Sequence, residues 1–190
     1  MMGAAWMTRE GLRAEAAYEA RAVASRPAIP RKILGALAMG AGLGLAVAAD
    51  FRVAAPEARF VANFTRLGFH PGFALSTTLP RLLGEQKAAL MLLTSRRIKG
   101  EEAFAMGLAD ELVPRAAVRT AAHRLAAEIA EGGPLGIMAT RQTLRTGLYD
   151  AVRATLEHEH AEQWELRATT DHKEGILSVA ERRPGRFTGQ

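Results

Sequence analysis

The stretch "MGAGLGLAVAAD", Met39 to Asp50, decides how the rest of the chain is read. It holds three glycines within five positions, no side-chain chemistry among them, and then one carboxylate. Two physical demands favour such a run. A buried helix packed closely on its neighbours wants small residues. A helix start that offers its free backbone N–H groups to a ligand wants no side chains in the way. The run is not G-x-G-x-x-G followed by an acidic ribose ligand. It is not a P-loop either, because no Gly-Lys-Ser/Thr comes after it.

Outward from this stretch the chain divides into helices with a few short strands. Thr8–Ser25 is Ala- and Glu-rich and predicts a helix, broken by the two prolines of "RPAIPRK". Ile33–Ala38 predicts a buried strand, and Gly40–Ala49 a buried helix beginning at the glycines. "FRVAA" and "ARFVA" predict two short strands, and "FTRLGFHPGFALS" a loop. Helices come next over Leu75–Leu83 and Glu85–Thr94. "GEEAFAMGLADELVP" predicts a helix opening on acids, a stop at Gly107 and a strand ending at Pro114. The remainder predicts helices over Arg115–Glu131, Leu135–Thr146, Asp150–Arg167 and Asp171–Arg182, the last with Asp171 and Glu174 as its capped start. Strands alternating with helices, then helices only, make the fold class α/β with a helical C-terminal region.

Composition narrows the function classes. The 190 residues are 48% hydrophobic and 24% charged, enough for one domain with a real core. There is no cysteine, hence no disulfide framework and no thiolate metal site. The longest apolar run, Leu37–Ala49, falls short of the ~20 residues a membrane span needs. With no signal peptide visible, a cytoplasmic location is expected. The net charge of +5 comes from bases interspersed with acids, as in "RATLEHEHAEQWELR", so a nucleic-acid partner is not expected. In "HEH", His158 and His160 are two apart and do not share a helix face, so no metal site is expected.

Several long segments together resemble the enoyl-CoA hydratase/isomerase (crotonase) family. They are "ALAMGAGLGLAVAADFRVAAPEARF", "LGFHPGFALSTTLPRLLGEQKAALMLLTSRRIKGEEAFAMGLADELVP" and the closing "DHKEGILSVAERRPGRFTG". The likeness runs from about Ala36 to Gly189 in order. It implies a partial crotonase-like ββα spiral followed by a helical C-terminal region. The segments are then 1–30 without family likeness, 31–114 an incomplete core, and 115–190 a helical oligomerisation region. It also implies an acyl-CoA thioester as substrate or ligand with no further cofactor, and a homo-oligomer, trimer or dimer of trimers.

The resemblance implies that backbone N–H groups hold the thioester oxygen, one of them at Ala41, with Gly40, Leu67 and Gly72 nearby. Asp50 then joins helix to strand. The family's two catalytic glutamates fall on Gly44 and Phe64, neither of which transfers a proton. Gly72 leaves a third carboxylate position empty, and His70 is the remaining candidate base. Each general acid or base is worth ~10²–10⁴ in rate, so hydration of an enoyl-CoA is expected to be severely weakened. Arg96, Arg97 and Lys99 lie around a predicted turn within reach of CoA phosphates or on solvated surface. The family's upstream strand units, one with a second oxyanion donor, have no counterpart before the likeness begins, so the chain looks truncated. Two functions stay open: a crotonase-type enzyme acting on acyl-CoA, and a non-catalytic acyl-CoA-binding or oligomerisation module.

Overall fold

The computed structural model describes residues 31–190, with side chains from 40 onward. The helix expected over Thr8–Ser25 lies outside the described residues. In chain order come α1 (Arg31–Ala48), β1 (Val53–Ala54), β2 (Arg59–Phe60), a 3₁₀ turn at Thr65–Leu67, α2 (Leu75–Leu83) and α3 (Glu85–Thr94). Then come β3 (Ile98–Lys99), α4 (Gly100–Met106), β4 (Glu111–Leu112), a 3₁₀ turn at Arg115–Ala117, α5 (Val118–Ala130), α6 (Pro134–Leu144), α7 (Leu148–Leu166) and α8 (Thr170–Glu181).

The strands are two residues each and form two separate ribbons. β1 pairs parallel with β4, Val53 opposite Glu111 and Ala54 opposite Leu112. β2 pairs antiparallel with β3, Arg59 opposite Lys99 and Phe60 opposite Ile98. Ribbons this short need side-chain support. Arg52 supplies it for the first: its backbone N–H and Nη2 donate to Asp110 Oδ2 at 2.7 and 3.0 Å, its Nε to the Leu108 carbonyl at 2.7 Å, and its Nη1 to the Ala49 carbonyl at 2.8 Å. The buried guanidinium, satisfied by these acceptors, ties the end of α1 to the approach to β4.

The core is built by helical spacing. Leu75, Leu79 and Leu83 recur every fourth residue on α2 and are all buried. They join Leu43, Phe64, Met91, Ile98 and Leu108 in one cluster. α8 packs on the first 3₁₀ turn through two glycines. A Cβ on Gly175 would strike the Leu67 backbone, and one on Gly68 would lie 2.6 Å from the Asp171 carbonyl oxygen. Gly68 also turns with φ +60°, which other residues rarely adopt.

Two expectations are corrected. Ile33–Ala38 is helix, not strand: α1 runs unbroken from Arg31 to Ala48. A short apolar run reads as buried strand or buried helix equally well, and no turn residue separates Ile33–Ala38 from the glycine run after it. The cap of α8 is Thr169, whose Oγ1 accepts the His172 N–H at 3.1 Å, rather than Asp171. Asp171 and Glu174 hold the C-terminal tail instead, Asp171 accepting the N–H groups of Thr188 and Gly189 at 2.7 and 2.8 Å.

Candidate functional site

Gly40, Gly44 and Gly72 each lie against an aromatic ring or its stem. A Cβ on Gly40 would sit 2.6 Å from Phe64 Cζ, and one on Gly44 would sit 2.5 Å from Phe73 Cβ. One on Gly72 would lie 3.8 Å from Phe64 Cε1 and 2.7 Å from Gln163 Nε2. Gly40 and Gly44 of α1 are therefore required for close approach, whereas a Cβ on Gly42 would meet nothing within 4 Å. The Phe64 ring occupies the space between Gly40 and Gly72, and it is buried. Phe73 lies against Gly44 yet leaves half its own surface in solvent.

The loop that carries Gly72 and Phe73 is held by one face of α7. Phe73 and Ala74 both adopt left-handed backbone, φ 62° and 55°, before α2 begins. Ala74 has no polar side chain to cap α2. Glu159, fully buried on α7, does so: it accepts Ala74 N–H at 2.8 Å, Ser76 N–H at 3.1 Å and the Ser76 hydroxyl. A turn away, Gln163 Nε2 donates to the carbonyls of His70 and Pro71 at 3.0 and 3.2 Å. A turn the other way, the Thr155 and Thr77 hydroxyls hydrogen-bond. A buried carboxylate at a helix start is favoured by the free N–H groups and the helix dipole.

The candidate residues named from sequence take up different places. Ala41 is half-buried in the interior of α1, not at a helix start, and an interior N–H ordinarily bonds the carbonyl four residues earlier. Leu67 is buried in the 3₁₀ turn, and its carbonyl accepts His172 Nδ1–H at 2.8 Å. His70 donates through Nδ1 to the Pro71 carbonyl at 2.9 Å and meets His158 edge-on, ring centroids 5.7 Å apart. His160 lies instead beside Trp164, so the two histidines of "HEH" diverge. Arg96 pairs with Glu102 at 3.6 Å. Asp50 accepts Arg141 Nε at 2.7 Å and Arg145 Nη2 at 2.7 Å, which fastens the end of α1 to α6. The Arg141 hydrogen bond leads in holding the Asp50 carboxyl below its usual range.

Glu159, Gln163 and Thr155 were not singled out by any motif. Their four-residue spacing along a charged helix was the available signal. None of Gly40, Gly44, Phe64 and Gly72 supplies a carboxylate, and the space between them is filled by the Phe64 ring and the stem of Phe73.

Comparison with known proteins shows the family. A sequence model described as enoyl-CoA hydratase/isomerase matches residues 31–190. A probable enoyl-CoA hydratase of Rhodobacter capsulatus is 37% identical over 164 residues, covering 85% of this chain and 64% of that protein. An (E)-benzylidenesuccinyl-CoA hydratase of Thauera aromatica is 34% identical, covering 80% of this chain and 59% of its own. Among solved structures, carnitinyl-CoA hydratase from Mycobacterium avium superposes with TM-score 0.73 at 28% identity, over 80% of this chain and 59% of that one. The chain thus spans less than two thirds of these relatives' length. Residues 31–190 carry the sequence pattern and the fold together, and the chain belongs to the enoyl-CoA hydratase/isomerase family.

Proposed function

We propose that the chain binds acyl-CoA thioesters at the site bounded by Gly40, Ala41, Leu67 and Gly72, and that it hydrates enoyl-CoA poorly or not at all. The family match over residues 31–190 supports the acyl-CoA ligand, and the observation that carries the weak hydration is Phe64. Its ring fills the space between Gly40 and Gly72, at the position where the family resemblance calls for a carboxylate. Gly44, the other such position, has no room beside Phe73. The one buried carboxylate among the described residues, Glu159, accepts from Ala74 and Ser76 instead. A thioester oxygen taking the Ala41 N–H requires α1 to release its ladder before Gly40.

Assembly into a homo-oligomer, a trimer or its dimer, is part of the same proposal. Leu135 is 81% exposed and Tyr149 75% exposed on α6 and α7, with Met138, Leu144 and Trp164 also largely uncovered. Exposed apolar surface of this kind favours a partner copy. Calorimetric titration with a few short acyl-CoAs, beside an assay of the loss of conjugated thioester absorbance, tests the function. The expected result is saturable binding without turnover. Absence of binding overturns the proposal, and enzyme-like hydration overturns its second half.

A further inference from the structure

Gly72 is closed in by two side chains. A Cβ there would sit 2.7 Å from Gln163 Nε2 and 3.8 Å from Phe64 Cε1. The Gln163 nitrogen donates to the carbonyls of His70 and Pro71 at 3.0 and 3.2 Å. Both hydrogens of the carboxamide are thus spent on the two residues before Gly72. The Pro71 carbonyl also accepts His70 Nδ1–H at 2.9 Å. One turn back on α7, Glu159 accepts the N–H groups of Ala74 and Ser76, which follow Gly72. One face of α7 therefore offers a donor to the loop before Gly72 and an acceptor to the loop after it.

The loop needs such support. Phe73 and Ala74 stand at φ 62° and 55°, a backbone region that side chains disfavour. One hydrogen bond stabilises by about as much as one such residue costs. The balance is close, so losing the bonds of Gln163 frees the loop to leave its place for part of the time. A ligand that needs the loop in place then binds more weakly in proportion to the fraction lost.

We propose that Gln163 is a positioning residue for the acyl-CoA site: its two carboxamide donors hold His70, Pro71 and Gly72 where the ligand is received, and so set the affinity. The inference rests on the acyl-CoA reading above. It makes a chemical demand on position 163. Two carbonyl oxygens face it, so a group that donates hydrogen bonds suits the loop, an apolar group leaves it loose, and a group that only accepts repels it.

Calorimetric titration of the full chain with butyryl-CoA tests it, beside urea denaturation of each variant. Q163M keeps the length of the side chain without a donor, and is expected to bind about threefold to tenfold more weakly than the parent. Q163E keeps the shape and offers only acceptors, and is expected to lose about tenfold or more. Q163K restores donors on a chain one atom longer, and is expected to return to within about threefold of the parent. Packing alone would rank the variants by size and leave Q163M and Q163E close to the parent. A121G, at a buried position of α5 beside β1, lowers stability without touching the donor and is expected to bind as the parent does. Q163M and Q163K carry the comparison if Q163E fails to fold. Parent-like affinity in Q163M, no recovery in Q163K, or an equal loss in A121G overturns this inference while the acyl-CoA reading stands. No butyryl-CoA binding by the parent overturns that reading and this inference with it.

Discussion

Glu159 caps a helix from far along the chain: its carboxylate accepts the N–H of Ala74, 85 positions earlier, at 2.8 Å across the interface of α7 and α2. It is 1% exposed and forms no ion pair among the described residues, so its charge is balanced by three donors and the start of α2. Those same bonds hold Phe73 and Ala74 in left-handed backbone, which neither side chain favours. The site loop is thus set by a residue of the helical C-terminal region.

Glu159→Ala leaves the buried Ala74 N–H and the part-buried Ser76 N–H without acceptors and opens a cavity. Each unsatisfied buried group costs ~1–3 kcal/mol, so a loss of about 2–4 kcal/mol is expected. Urea denaturation measures it. Glu165→Ala, on the exposed face of the same helix, is expected to stay within about 0.5 kcal/mol of the parent. Equal effects in the two variants contradict the capping role.

Ala41→Pro separates two descriptions of α1. If the helix began at Gly40, proline at its first turn would be tolerated. In the observed helix, which starts at Arg31, proline at 41 breaks an interior bond and clashes with the preceding turn, at a cost of ~3 kcal/mol or more. A melting temperature close to the parent's would show that α1 starts at the glycines.

The range of each interaction decides how much was legible in the sequence. Leu75, Leu79 and Leu83 declare their helix at close spacing, and Gly84 and Gly107 mark stops locally, so α2 to α4 fall where the spacing predicts. Ile33–Ala38 failed because so short an apolar run carries no period long enough to choose strand or helix. The family likeness located Gly40, Gly44, Phe64 and Gly72 but not what fills the space between them, since Phe64 meets Gly40 and Phe73 meets Gly44 only through tertiary packing. Glu159 read as one acid among many on α7. Its partners lie 83 and 85 positions away, beyond any local pattern.

Acid is expected to release the C-terminal tail. Arg183's guanidinium, donating to Glu174 with Nη2 at 2.9 Å, and then the Arg186 N–H bring the Glu174 carboxyl from 4.5 down to about 2. The Thr188 N–H leads in lowering Asp171. A carboxyl depressed by folding stabilises the folded state above its unfolded value and loses that contribution as pH falls through the folded one. The window is therefore between pH 4.5 and about 2. Over it, the backbone resonances of Arg186 to Gly189 should shift toward unstructured values in the parent. Glu174→Gln should show a loosened tail already at neutral pH. A tail that stays ordered at pH 2 contradicts the assignment.

The contact of Gly44 with Phe73 makes the last prediction. A Cβ on Gly44 would lie 2.5 Å from Phe73 Cβ, an atom fixed to backbone that cannot swing aside. Gly44→Ala is therefore expected to cost about 1–3 kcal/mol by overpacking, although alanine is the better helix former. Phe73 itself sits at φ 62°, where glycine is at ease, and it is 53% exposed, so Phe73→Gly removes the clashing atom at little loss of burial. The two substitutions should then couple. In the Phe73→Gly background, Gly44→Ala should cost less by ~1 kcal/mol or more, a non-additivity typical of residues in contact. The same logic governs Gly44→Glu, which should be tolerated better after Phe73→Gly than in the parent. Additive effects of Gly44→Ala and Phe73→Gly in a double-mutant cycle would show that the aromatic stem does not close this position, and a carboxylate at residue 44 would then have room.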